Sequence, residues 1–200
     1  MKIQIIYCHP SKKSYTFEVL EQLKLTLEKE KLEYEISDLY EMKFKTDMTE
    51  EEYEREGFAN IELPIPNDVK EEHKKIKKAE CLIFLYPVWW SDCPSKLKGW
   101  FDRVYSIGYA YGHSDSNLFD KMKTLKYGLV ICTAGHPNEF LREIGIAESM
   151  RNVMIDDRLG KRFQNKEMII LGGTLNKENV KQTHSAIINS IGEKIKKYCT

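Results

Sequence analysis

Charge of one sign is what this 200-residue chain lacks most plainly: 31 basic side chains offset 31 acidic ones. It therefore sets up no global field that would draw in nucleic acid or an anionic membrane surface. The longest charge run, Lys70 to Lys78, mixes both signs and fits one solvated face of a helix. No apolar segment approaches the length of a membrane span, and the amino terminus leads straight into an apolar strand with no secretory signal pattern. The five cysteines, at positions 8, 81, 93, 132 and 199, have neither metal-ligand nor Cys-x-x-Cys spacing. Cys8, Cys81 and Cys132 fall in predicted strands, so free thiols in a reducing cytoplasm are expected. No catalytic triad and no metal cluster stands out, and no repeat or linker divides residues 1–200, which are expected to form one domain. A domain of this length buries about 70% of the surface its unfolded chain exposes.

What the chain does have is concentrated between Cys81 and Gly112. The apolar run Cys81 to Leu85 has the length and composition of a buried parallel strand. Tyr86-Pro87 stops it, and Val88-Trp89-Trp90 places two large aromatics in the loop that follows. Pro94 suits the first turn of a helix, in which Leu97, Trp100, Phe101 and Val104 share one face. In open α/β sheets, ligands bind just past the carboxyl ends of strands. The loop Tyr86-Pro87-Val88-Trp89-Trp90, the run Pro94 to Val104 and the turn Gly108-Tyr109-Ala110-Tyr111-Gly112 together resemble the flavodoxin-like NAD(P)H:quinone oxidoreductases, the family of DT-diaphorase and the smaller bacterial quinone reductases.

The remaining elements alternate. Lys2 to Cys8 reads as a strand, and Ser14 opens a helix with Phe17, Val19, Leu20, Leu23 and Leu27 on its apolar stripe, running to about Lys31. Glu33 to Leu39 is a second strand. Tyr40 to Pro66 is a long excursion with one short helix near Thr49 to Arg55, of a length more often functional than idle. Asn67 is expected to cap a helix to Lys78. After the Cys81–Leu85 strand and its helix come strands at Tyr127–Thr133 and Glu167–Leu171, and a last amphipathic helix from Lys177 to Tyr198. Strands alternating with helices predict an α/β fold, a three-layer sandwich with a five-stranded parallel sheet in the order 2-1-3-4-5 and helices on both faces. The resemblance makes this sandwich flavodoxin-like.

Three strand ends meet at the carboxyl edge of such a sheet. The first loop, His9 to Phe17, runs into a helix amino terminus, where unpaired N–H groups and the helix dipole favour a phosphate; Ser14 serves equally as a plain N-cap. The resemblance implies that His9, Ser14, Tyr15, Thr16 and Phe17 hold a flavin's phosphate or pyrophosphate, with Thr16 where relatives often have asparagine. The second loop, Pro87, Val88, Trp89, Trp90 and Ser91, has the apolar character that an isoalloxazine ring requires, although Trp90 could instead only pack. The third, Thr133, Ala134, Gly135 and His136, allows close backbone approach at Gly135. Its N–H groups are expected to face flavin N1 and O2, in a place where relatives usually have two adjacent glycines.

The family's proposed tyrosine–histidine relay aligns with Phe140 and Ile146. Neither can donate a proton, so no relay is assigned and no catalytic residue is named; His136 lies nearby but out of register. Arg151 to Lys166 is also more charged than its counterparts. The resemblance implies NAD(P)H as electron donor, a quinone-like acceptor, and a homodimer to which Trp89, Trp90, Tyr109 and Tyr111 contribute. FAD is favoured over FMN by His9 and the long excursion. The rival readings are a flavin-binding redox sensor or regulatory subunit, and an electron carrier, against which the neutral net charge speaks.

Overall fold

The computed structural model of the protein describes residues 2–112 and 122–199. Its five strands are β1 (Lys2–Tyr7), β2 (Glu33–Asp38), β3 (Cys81–Pro87), β4 (Leu125–Thr133) and β5 (Phe163–Leu171). All pair in parallel, in the expected order β2-β1-β3-β4-β5. The central strand β3 is buried along its whole length, so its sequence is a continuous apolar run rather than an alternation. Successive side chains divide between the two faces. Ile3, Ile5, Tyr7, Ile83 and Leu85 pack with α1 (Tyr15–Lys29), α7 (Lys177–Asn189) and α8 (Ile191–Cys199). Ile6, Cys8, Leu82, Phe84 and Tyr86 pack with α3 (Asn67–Lys78) and α4 (Ser95–Val104).

The helices follow from their stripes and caps. In α1, Val19, Leu20, Leu23 and Leu27 are buried, and Ser14 Oγ accepts the Phe17 N–H at 3.1 Å. The short helix expected in the excursion is α2 (Glu50–Gly57), started by a reciprocal capping box between Thr49 and Glu52. Asn67 is not the cap of α3. It is the first helical residue, and Pro66 precedes it with an extended ψ of 150°. Pro94 likewise sits just before α4 rather than inside its first turn.

Three further departures have physical causes. Between β4 and β5 the chain forms α5 (Asn138–Glu143), α6 (Ile146–Arg151) and a π-helical segment, Asn152–Leu159. Interspersed charges hide their apolar stripe, yet Leu141, Met150, Met154, Ile155 and Leu159 are buried. Strand β5 begins at Phe163, earlier than its apolar run, because an edge strand needs only backbone pairing with β4. The expected terminal helix is two, α7 and α8, broken at Ser190. The break seats Gly192 against Glu30, where a Cβ would lie 2.5 Å from Glu30 Cγ.

The excursion is fastened to α4. Leu39 and Phe44 enter the core, and the Thr46 carbonyl lies where a Cβ on Gly99 would come within 2.5 Å, so only glycine fits there. Among the described residues, no helix is long and apolar enough to cross a membrane.

Candidate active site

The three loops predicted to converge do so at the carboxyl edge, because β1, β3 and β4 are adjacent in the sheet. The His9 and Trp89 rings meet edge to face with centroids 5.9 Å apart. The Val88 N–H donates to the Thr133 carbonyl at 2.8 Å, and the Thr16 and Thr133 hydroxyls share a 2.8 Å hydrogen bond. His9, Thr16, Val88, Trp89 and Thr133 are therefore one linked group.

The hydroxyls of the first loop are spent internally. Ser14 Oγ donates to the Ser11 carbonyl at 2.9 Å while capping α1. Tyr15 Oη bonds His184 Nδ1 at 2.8 Å, so its ring leans on α7, and Phe17 packs into the α1 face of the core. What remains for an anion is backbone: among the described residues the Tyr15 and Thr16 N–H groups have no protein acceptor, and they point out of the positive end of α1. His9 Nδ1 accepts the Ser11 N–H at 3.0 Å, which puts its own proton on Nε2, and partial burial lowers its pKa and keeps it neutral.

The second loop is strained. Trp90 has φ 49° and Ser91 φ 63°, two consecutive non-glycine residues in the left-handed region, each costing on the order of 1 kcal/mol. Trp90 recovers nothing by packing, since its side chain is 100% exposed; the expectation that it merely fills the core is excluded. The turn closes by reciprocal bonds, Trp89 N–H to Asp92 O (2.9 Å) and Asp92 N–H to Trp89 O (3.2 Å). Arg158 of the π-helical segment forks onto Asp92 at 2.9 and 3.1 Å. Burial is the largest single influence and works to raise the Asp92 carboxyl, but the Arg158 hydrogen bond and charge, together with the Cys93 N–H and thiol, outweigh it and hold the group below the usual carboxylate range. Arg158 and His184 went unread in the sequence, since each meets its partner across a long stretch of chain.

In the third loop the Thr133 carbonyl is taken by Val88, and the three carbonyls after it turn toward the end of β5. Ala134 O accepts from Thr174, Gly135 O from Leu175 N–H and His136 O from Gly173 N–H. The Ala134 N–H is also taken, by Leu171 O, leaving the Gly135 and His136 N–H groups without a protein partner among the described residues. Phe140 is exposed and lies 4.8 Å from the His136 ring, while Ile146 packs with Ala134, Leu141 and Met150. Burial pushes the thiols of Cys8, Cys93 and Cys132 up to about 12, so none of these three is a thiolate nucleophile at neutral pH.

A family profile described as flavodoxin-like fold matches residues 1–191. The chain belongs to that family. A ribosyldihydronicotinamide dehydrogenase-like protein of Penicillium crustosum is 31% identical over 182 residues, covering 82% of this chain and 68% of that one. The guinea-pig (Cavia porcellus) NAD(P)H dehydrogenase [quinone] 1 is 34% identical over 146 residues, 66% of this chain and 52% of that one, so the match takes in about half of that relative. Among solved structures, the NAD(P)H:quinone oxidoreductase from Methanothermobacter marburgensis superposes with a TM-score of 0.89 at 42% identity, over 98% of this chain and 96% of that one. The resemblance read from the loop motifs thus extends over nearly the whole chain, and the protein is an oxidoreductase of this flavin-dependent family. An FMN-dependent NADH-azoreductase of Bacillus anthracis, solved with FMN, shares the fold (TM-score 0.69, 17% identity).

The residues fit a flavin. Unpaired amides at the start of α1 suit a phosphate, the exposed Trp90 beside Trp89 and His9 suits a flat aromatic ring, and the Gly135–His136 amides suit a carbonyl or anionic edge. Tyr109 does not add to an exposed aromatic wall. It is buried and stacked on His73 at 3.5 Å, whereas Tyr111 stays partly exposed and bonds Glu56.

Proposed function

We propose that the protein takes two electrons from NAD(P)H and passes them to a quinone or a similar small acceptor, using a bound flavin. The observation that carries this reading is the convergence of unpaired amides and exposed aromatic rings on one sheet edge, in a chain 42% identical to an NAD(P)H:quinone oxidoreductase. When bound, the flavin supplies the redox chemistry, taking hydride at N5 and giving two electrons to the acceptor. Everything else falls to the chain. The Tyr15 and Thr16 amides and the α1 dipole bind the phosphate, with Ser14 shaping the turn and Phe17 anchoring it. His9, held neutral, donates its Nε2–H. Pro87, Val88, Trp89, Trp90 and Ser91 wall the ring and exclude water. The amides of the Thr133–His136 turn, at Gly135 and His136, stabilise negative charge on the pyrimidine side. Phe140 and Ile146 hold no transferable proton, so no relay operates from those positions.

FAD is the flavin favoured, on the length of the excursion, with FMN as the alternative. Heat release followed by HPLC beside both standards decides, and an FMN peak alone overturns FAD. The same reading has residues 1–200 act as one flavin-binding domain in the cytoplasm, as a homodimer whose surface includes Trp89, Trp90 and Tyr111; sedimentation as a monomer with bound flavin would exclude the dimer.

The deciding assay is steady-state oxidation of NADH or NADPH with menadione as acceptor. Many turnovers per flavin are expected. A colourless protein that takes up neither flavin ends the proposal, and bleaching that stops at one equivalent favours the second reading, a flavin-binding sensor or regulatory subunit. Phe140 and Ile146 in place of the relay pair are the observation behind that alternative. If the relay is dispensable, Phe140→Tyr leaves turnover nearly unchanged.

A further inference from the structure

We propose that Asp92 and Arg158 are a positioning pair that fixes the Trp89–Ser91 loop and, through it, the seat of the flavin ring; the second half of this inference rests on the flavin reading above. Two consecutive left-handed residues, Trp90 and Ser91, persist at the tip of this loop although the Trp90 ring makes no buried contact in return. Such a conformation survives where its surroundings over-determine it. Here, at the tip of the loop, the described surroundings centre on one residue. Asp92 closes the turn through its own backbone, its Oδ1 accepts the Cys93 N–H at 2.7 Å, and its carboxylate receives the Arg158 fork.

Arg158 is itself immobilised. Its guanidinium lies over the Phe101 ring at 5.2 Å, and Nη1 sits 3.3 Å from Cys93 Sγ and 3.1 Å from Met154 Sδ. It is delivered by a π-helical segment, a rare irregularity that is frequent at functional sites. As a stabilising device the pair is poor, because half of it, Asp92, is solvated and its attraction is correspondingly screened. As a geometric device it is well made, since a planar fork fixes the orientation of a carboxylate as well as its distance.

The test compares Asp92→Asn and Arg158→Lys with the parent protein. Asp92→Asn changes a partly exposed group and keeps its shape, so it folds even if the buried arginine variant does not. Three quantities are read: the Kd for the flavin that the parent binds, FAD or FMN, by flavin fluorescence, the midpoint potential of the bound flavin, and the melting temperature. Loss of the fork is expected to raise Kd by about tenfold or more and to shift the potential, while Asp92→Asn melts close to the parent. A role in stability alone would leave the potential unmoved. Parent-like Kd and potential in Asp92→Asn overturn the pair, as does a Kd change that vanishes after correction for unfolded protein. If the parent binds neither FMN nor FAD, the functional reading fails separately. The loop is then judged by acrylamide quenching of Trp89 and Trp90 against the buried Trp100: a changed curve in Asp92→Asn upholds the positioning of the loop, and an unchanged curve overturns it.

Discussion

Between the sheet and α1, α7 and α8 the packing is almost wholly hydrocarbon, whereas among the described residues the opposite face encloses several separate sets of charged side chains. Glu72, fully buried, receives Ser37 and Lys75 on one oxygen (2.8 and 2.7 Å) and the Trp100 indole on the other (2.9 Å). Arg103 joins Glu52 of α2 at 2.7 Å and forks onto Asp68 of α3 at 2.6 and 3.1 Å. Arg158 holds Asp92. The hydrocarbon face joins regular elements, and non-directional burial suffices for that. The charged face joins irregular ones, the excursion, the tryptophan loop and the π-helical segment, whose placement has to be set by directional bonds. Both faces bury hydrocarbon, and the charged one adds geometry.

The comparison breaks most sharply at Arg103. Arg103→Met removes the shared partner of Glu52 and Asp68, and the chain should lose about 3–5 kcal/mol in a urea titration, since a carboxylate is left buried and unpaired. A loss under about 1 kcal/mol would mean that both carboxylates reach water, and that the charged face is no more demanding than a surface. On the other face, Leu23→Ala should cost about 3 kcal/mol, the ordinary result of a cavity in a close-packed core. The signature that separates the two is repair. A larger apolar side chain restores part of the Leu23 loss, whereas no apolar side chain at position 103 can pair the carboxylates. Smaller still is Ser14→Ala, expected to cost about 1 kcal/mol through the lost N-cap. It should also weaken flavin binding, because the same residue shapes the turn that presents the Tyr15 and Thr16 amides. Unchanged flavin affinity with the expected loss of stability would detach that turn from the site.

The hydrocarbon face was also the more legible in the sequence. The stripe Val19, Leu20, Leu23, Leu27 is periodic and the β3 run is continuous and apolar, so local pattern gives α1 and β3, and the alternation of strands with helices gives the strand order. Local chemistry likewise points to His9, Ser14 and the Pro87–Ser91 loop. What stayed hidden depends on distance along the chain. Asp92 and Arg158 are 66 residues apart, and Tyr15 and His184 are 169 apart, so neither pair leaves a local pattern. The helices between β4 and β5 escaped for a different reason: the charges that give them Arg158 also interrupt the apolar spacing by which a helix is recognised. The break at Ser190 escaped because both halves of the terminal segment keep helical periodicity.

The smallest effect expected is spread over both faces and the site. Burial is the main influence on His9, His73 and His184, and it lowers all three below the ordinary imidazole value. In the unfolded chain each titrates near about pH 6.5. Below that value the unfolded state binds protons that the folded state refuses, so stability should fall as pH drops from about 7 toward 5.5 and stay flat only between about 7 and 8, above which the buried thiols begin to lower it. The carboxylates held low by their partners, Asp68 and Asp92 among them, extend the loss to more acid solution. Urea midpoints across that range test the sign, and stability that rises on acidification would refute it. The two faces separate in the NMR titration of the individual rings. His184 on the hydrocarbon face is influenced by burial and by a bond to Gly172. His73 on the charged face also has Arg55 reinforcing burial and Glu72 opposing it. Glu72→Gln should therefore lower the His73 titration further and leave His184 where it is. A shift of both, or of neither, would mean that the charged network does not act locally on its own face.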